Sequence, residues 1–464
     1  MRYLSHTQAD RQAMLDVIGV ESVDALFSPI PEALRATGLD LPAGLGELET
    51  RQHLEALAAR NRIYGGASFL GAGSYNHFVP AAVRSLTSRA EFATAYTPYQ
   101  AEVAQGTLQH IFEFQTALCE LTGLGAANAS MYDGPSALAE AAFLALRHNH
   151  RERILASAGL HPEERQVVAT YASGPGFEVS TLDLDEDSGR TLVPTASELE
   201  GVGALLVRQP NFYGVIEDLR PLAEAAHDAG ALLVVSQYPV TLGLLAPSAQ
   251  VGADVAVGDV QPFGNARAFG GASAGYLVCR QDLVRQLPGR LVGQTIDADG
   301  KTAYALTLQA REQHIRRSRA TSNICSNQAL NALAATIHLA LLGPRGLAEL
   351  GEICVRRAHY LFEKLLEMPG IEPVFAGPFF NEFALRLPLP AAEFSQAMRA
   401  RGVDPGVELA RFSGGNGHRG GDRILVAVTE MNSPEDIGRY LTAARAVLAG
   451  ETAPDPAAEE APDA

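Results

Sequence analysis

The stretch GALLVRQPNFYGVIEDLRPLAEAAHDAGALLVVSQ, residues 203–237, carries two apolar runs of strand length, 203–207 and 231–235. Between them residues 221–230 read as a helix closed by a C-terminal glycine, Gly230. A third apolar run follows at 275–279. Apolar strands separated by helices predict a mostly parallel sheet buried on both faces. Upstream, Leu108, Ile111, Phe112, Leu118 and Cys119 recur at helical spacing, and Gly123 is placed to stop that helix. Downstream the pattern changes to long helices, strands at 381–387 and 423–428, and a final helix. The expected organisation is α/β. A helical arm, broken at Pro29, Pro31 and Pro42, spans 1–60; a large α/β domain spans 61–330 and a smaller C-terminal α+β domain 331–450. Residues 451–464 form an acidic, Pro-rich tail expected to be disordered.

Composition narrows the partners. With 47% hydrophobic and 19% charged residues, the 464-residue chain has the make-up of a globular protein with room for well-buried cores. Its formal net charge of -17 argues against nucleic acid or an anionic membrane, both of which require clustered cations. The one basic cluster, Arg311, Arg316, Arg317 and Arg319, reads as a solvated or interface helix face. The N-terminus shows no apolar signal segment, so a cytoplasmic location is expected. The apolar helix at 329–343 is too short to cross a bilayer and contains Asn331, Thr336 and His338. Cys119, Cys279, Cys325 and Cys354 are far apart, with neither a CxxC pair nor metal-ligand spacing; no disulfide and no metal are expected. His148 and His150 read as a helix end rather than a ligand pair.

Only two lysines occur, Lys301 and Lys364. Lys301 lies in the polar turn 297–301 and Lys364 on the charged helical run 356–367, both solvated by their surroundings. An enzyme that holds pyridoxal phosphate needs a lysine amine, a phosphate cradle and, in folds of this type, an aspartate for the pyridinium nitrogen. Residues 260–267, between Asp259 and the glycine-rich run 269–275, lack a lysine. Asp133 is expected to cap the helix beginning with Gly134, Pro135 and Ser136, and a carboxylate there opposes a phosphate. The strand at 231–235 runs into Ser236, which cannot supply the missing charge. Gly71 with Gly73, and Gly123 with Gly125, fail to complete a dinucleotide fingerprint and are read as turns.

Two loops concentrate aromatic and hydrogen-bonding side chains: Ser74, Tyr75, Asn76 and His77 in the first, Tyr96, Thr97, Tyr99, Gln100 and Glu102 in the second. Such loops line sites, and equally they pack on their own protein.

Taken with the runs at 71–80, 96–100 with Gln105 and Gly106, 128–134, 210–218, 321–330, 379–383 and 426–430, these loops resemble the glycine cleavage system P protein, specifically the alpha subunit of its two-chain bacterial form. The loop 412–422 looks longer and richer in glycine than that family's pattern. The resemblance implies a fold like the type I aminotransferases, that is, of pyridoxal-phosphate-dependent transferases. It further implies that the cofactor is bound by a homologous beta subunit, with an α2β2 assembly, glycine as substrate, and the aminomethyl group passed to the lipoyl arm of the H protein. The nine loop residues named above would then complete the walls of the partner's site and the lipoyl entrance, with no catalytic residue in this chain. Two other readings stay open at this point: a self-sufficient lyase or aminotransferase that uses Lys301, and a pseudo-enzyme that only binds a partner.

Overall fold

The computed structural model describes residues 5–36, 38, 40–61, 66–268, 271–412 and 421–452. The tail from 453 onward and most of the glycine-rich loop, 413–420, lie outside the described residues. The chain forms two compact units, Met1–Ile63 and Tyr64–Ala464.

The first unit contains the helices Gln8–Ile18 and Glu47–Ala58 with 3-10 turns between them. Thr7 caps the first helix by accepting from Asp10 N–H, and the helix ends at Gly19, whose φ of 79° suits only glycine without strain. Leu15 is the one buried apolar side chain among the described residues of this unit.

The second unit is built on a seven-stranded sheet. Its strands are β1 (Ala126–Ala127), β2 (Arg153–Ser157), β3 (Glu178–Leu182), β4 (Val202–Gln209), β5 (Leu232–Gln237), β6 (Val255–Asp259) and β7 (Gly275–Cys279). They lie in the order β1-β7-β6-β5-β4-β2-β3. Strands β3, β2, β4, β5 and β6 pair parallel, whereas β7 runs antiparallel to both β6 and β1. Successive side chains bury on opposite faces, as period-2 geometry requires. Ala204, Leu206 and Val234 pack with the alanine-rich helix Gly134–Asn149. Leu205, Val207, Leu233 and Val235 pack with Leu222 and Ala226 of helix Leu219–Asp228. Each fully buried Leu or Val contributes about 1.5–3 kcal/mol, so this two-sided burial dominates the stability of the sheet.

Strands Leu291–Ile296 and Thr302–Thr307 form an antiparallel hairpin with Lys301 at its turn. The long helix Ala329–Leu366 is broken at Gly343, which has φ 59°, and Pro344 follows, where a helical N–H cannot be supplied. Beyond it, a four-stranded antiparallel sheet centres on Glu382–Arg386 paired with Arg423–Ala427. Residues 311–319 do not form the helix face expected of them. They fold as the 3-10 turns Gln309–Arg311 and Arg317–Arg319 flanking a single turn, Gln313–Arg316. Arg317 at φ 55° interrupts helical geometry.

Candidate functional site

Beyond the carboxyl ends of β4, β5 and β6 lies a cavity of about 200 Å³ lined by Ser74, His161, Glu164, Arg208, Ser236 and Asp259, with backbone from Gly73 and Gly134. Open α/β sheets place ligand crevices at this edge, because loops leaving the strand ends splay apart there.

The cavity floor is an ion pair. Glu164, in the first turn of helix Pro162–Ser173, accepts from Arg208 Nη1 at 2.6 Å and from the Ser236 hydroxyl at 2.8 Å on the same oxygen. Ser236 thus serves the Glu164 carboxylate, in place of the pyridinium partner that a cofactor enzyme needs here. His161 accepts Glu163 N–H on Nδ1 (3.1 Å), which leaves Nε2–H to donate to Ala72 O (3.1 Å). Burial, and then the Arg208 charge, hold its pKa below the ordinary imidazole value, so the ring is a neutral hydrogen-bonding element.

At the helix N-terminus, Asp133 caps Gly134–Asn149 by accepting Ser136 N–H at 2.8 Å. Gly134 N–H donates to Asp259 Oδ2 at 3.2 Å. Asp259 also accepts from Gln261 N–H and the Ser273 hydroxyl, and burial raises its carboxyl above the usual range. Two carboxylates therefore hold the donors that would cradle a phosphate. Neither lysine lines the cavity: Lys301 is exposed beside Asp299, and Lys364 pairs with Glu367 at 2.6 Å. The residues present do not fit pyridoxal phosphate, since the amine, the phosphate donors and the pyridinium partner are each absent or committed elsewhere.

The loop at 71–78 is clamped to the small sheet by two carboxylates. Glu382 accepts Ala72 N–H (2.6 Å) and the Tyr75 hydroxyl (2.7 Å). Burial drives its pKa up to about 7 despite those bonds and the Arg208 charge. Glu430 accepts His77 Nδ1–H and Phe78 N–H, both at 2.7 Å. Burial pushes the Glu430 carboxyl up, but the hydrogen bond and charge of His77 outweigh it and hold the pKa below its ordinary value. The other nitrogen of His77 meets the Tyr238 hydroxyl, and the Tyr75 ring lies 4.6 Å from the Tyr238 ring at a tilt of 47°. Among the described residues, one trio with metal-ligating atoms within 4.8 Å of one another occurs here, His77, Cys354 and Glu430. Its atoms are already engaged by protein partners, and burial holds the Cys354 thiol protonated.

Of the nine loop residues, Tyr75 and His77 are buried clamps, Ser74 sits exposed at the cavity rim, and Asn76 is half-buried, its carbonyl accepting from the Thr429 hydroxyl. The second loop is on the surface. Tyr96 is 78% and Tyr99 54% exposed, Gln100 and Glu102 are exposed, and Thr97 is half-buried. Tyr99 meets Arg290, whose Nη2 donates to its hydroxyl at 3.2 Å. The two loops are thus not brought together in one pocket by hydrogen bonds of their own side chains. Sequence reasoning missed His161, Glu164, Arg208, Glu382 and Glu430. Glu382 left a trace, as a carboxylate at the start of an otherwise apolar strand. The charged pair Glu164 and Arg208 left none, being 44 positions apart.

Residues 1–443 match the family described as glycine cleavage system P-protein. A probable glycine dehydrogenase (decarboxylating) subunit 1 of Geobacillus kaustophilus is 48% identical over 443 residues, 95% of this chain and 98% of the relative. A protein of the same description from Moorella thermoacetica is 47% identical over 97% of this chain and 100% of the relative. A crystal structure of glycine decarboxylase (P-protein) in inhibitor-bound form superposes with a TM-score of 0.87 at 45% identity, covering 96% of this chain and 100% of that one. A sphingosine-1-phosphate lyase of Burkholderia pseudomallei, 16% identical over 90% of this chain and 94% of its own, has a TM-score of 0.63 and shares the fold alone. The architecture is that of pyridoxal-phosphate-dependent transferases of type I, as the sequence led us to expect.

Proposed function

This chain belongs to the glycine cleavage system P-protein family, and from that premise we propose that it is the cofactor-free subunit of a two-chain, decarboxylating glycine dehydrogenase. The observation that carries the reading is the cavity at the strand ends, where Asp133 and Asp259 hold the phosphate donors and no lysine is present. A second, beta subunit binds pyridoxal phosphate and supplies the amine, in an α2β2 assembly in the cytoplasm. The electron sink for decarboxylation of glycine belongs to that partner's cofactor.

The contribution of this chain is positional. The loop clamped by Glu382 and Glu430 presents Ser74 and Asn76 on a rigid support, with Tyr75 and His77 as its anchors. Tyr96, Thr97, Tyr99, Gln100 and Glu102 extend outward to line the partner's site and the entrance for the lipoyl arm of the H protein. Rigid polar walls of this kind exclude water and hold a swinging arm at reacting distance, which is where an inactive subunit raises rate. The ion pair of Glu164 and Arg208 commits the charged groups at the cavity floor to each other, which leaves them unavailable to hold a cofactor.

The test is the absorbance of the purified chain titrated with pyridoxal phosphate, alone and co-expressed with its lysine-bearing partner, followed by borohydride reduction and mass mapping. A reduced adduct on the partner alone is the expected result. An adduct on Lys301 or Lys364 contradicts the proposal and makes this chain an enzyme in its own right.

A further inference from the structure

A second cluster of charge lies around Tyr99, separate from the cavity. Arg290 is 4% exposed; its guanidinium carbon stands 5.3 Å from the Tyr99 ring centroid, and its Nε has no hydrogen-bond partner among the described residues. Arg311 is gripped at one end, where Nη1 donates to the carbonyls of Leu287 and Gly289, the latter at 2.6 Å. Its other edge, Nε and Nη2, is buried and has no hydrogen-bond partner among the described residues. Glu312, 7% exposed, has no hydrogen-bond partner on Oε1 among the described residues, and its other oxygen lies 3.9 Å from His314 Nδ1; the His314 ring contacts Tyr99 at 6.0 Å. The segment carrying Arg311 and Glu312 is bounded by two non-glycine residues in left-handed backbone, Leu308 at φ 51° and Arg317 at φ 55°.

A buried guanidinium edge without a hydrogen-bond acceptor bears a cost of lost hydration that the nearby charge of Glu312, itself short of a hydrogen-bond partner at Oε1, offsets only through space. Strained backbone on both sides persists only where other contacts impose it. Nε and Nη2 are the two parallel donors that a carboxylate accepts side-on, a fit that a lysine ammonium cannot reproduce. Four arginines within residues 311–319 stand out in a chain of net charge -17, so an acidic group meets a locally favourable potential here. The same segments expose Tyr96, Val103 and Ile315, apolar surface of the kind that association covers.

We propose that Arg311 and Arg290 form a docking site for a carboxylate side chain of the second subunit, engaged when residues 308–317 repack as the two chains associate. The site rests on the reading that this chain works with such a subunit. It places the turn segment 308–319 at the interface, with Arg316 and Arg319 as the exposed charges that draw the acidic surface in.

The experiment titrates this chain with the purified second subunit at low and high salt, and measures the dissociation constant by sedimentation. Arg311→Lys keeps the charge and removes the side-on donors; the expected result is a dissociation constant raised about ten-fold or more. The double charge reversal Arg316→Glu with Arg319→Glu alters only exposed positions, so it folds independently of the buried cluster. It is expected to weaken association at low salt by about ten-fold and to lessen the salt dependence. Wild-type affinity for Arg311→Lys, or an unchanged salt dependence for the charge reversal, overturns the proposal. Failure of the unaltered chains to associate at all overturns the subunit reading itself, a result distinguishable from either.

Discussion

The carboxylate of Glu164 lies 2.6 Å from the guanidinium of Arg208 at the floor of the cavity, with side chains only 5% and 12% exposed. The pair neutralises itself only while both members are present. Arg208→Met leaves a buried, uncompensated carboxylate and is expected to lower the unfolding free energy by about 3–5 kcal/mol. The double variant Arg208→Met, Glu164→Gln is expected to recover most of that loss, since an uncharged pair has no such penalty. Urea denaturation of the three proteins checks this. A single variant within about 0.5 kcal/mol of the parent would show that water reaches the pair.

Glu382 makes stability depend on pH. Its carboxyl, raised by burial to about 7 from an ordinary 4.5, keeps in the folded chain a proton that the unfolded chain releases. Its contribution is therefore complete below the unfolded value and is lost as pH rises through the folded one, at about 1.4 kcal/mol per pH unit, or about 3 kcal/mol across the window. Tyr75 and Arg208 are the titratable and charged groups facing it. The gap in unfolding free energy between the parent and Glu382→Gln should shift in favour of the variant from about pH 5 to about pH 8. A gap that does not move with pH would mean that Glu382 is ionised throughout.

Gly214 is irreplaceable for a geometric reason. Its φ is 85°, and a Cβ there would stand 1.8 Å from the Glu382 carbonyl oxygen. Gly214→Ala must move the turn off the small sheet, and a loss of about 2 kcal/mol or more is expected in thermal or urea unfolding. An alanine variant as stable as the parent would place the turn elsewhere.

The exposed loop separates function from folding. Tyr96→Ala with Gln100→Ala removes two exposed side chains, so the isolated chain should keep its stability within about 0.5 kcal/mol. Glycine decarboxylation by the assembled complex, at saturating partner, should fall about ten-fold or more if these residues line the shared site. Full activity would leave the loop a bystander.

Much of the large sheet was legible because buried strands are written as short apolar runs. The runs at 203–207, 231–235 and 275–279 all became strands, and Asp133, Gly123 and Gly230 punctuate helices where their residue types suggested. The segment 311–319 misled, because its arginines suggest a helix face while left-handed backbone at Arg317 is not encoded by residue type. The candidate loops divided: Tyr75 and His77 proved to be internal anchors, whereas Tyr96, Tyr99, Gln100 and Glu102 face solvent.

By itself the sequence determined the fold class and the lack of an available lysine, since apolar periodicity and the presence of an amine are local properties of the chain. Only the tertiary structure decided which side chains meet at the cavity floor and which clamp the loop at 71–78. The pairing of Glu164 with Arg208, of Glu382 with Tyr75 and of Glu430 with His77 joins residues 44, 307 and 353 positions apart. Such pairs form because a buried polar or charged group must find a partner within hydrogen-bonding distance, and that distance is set by how helices and sheets pack rather than by spacing along the chain.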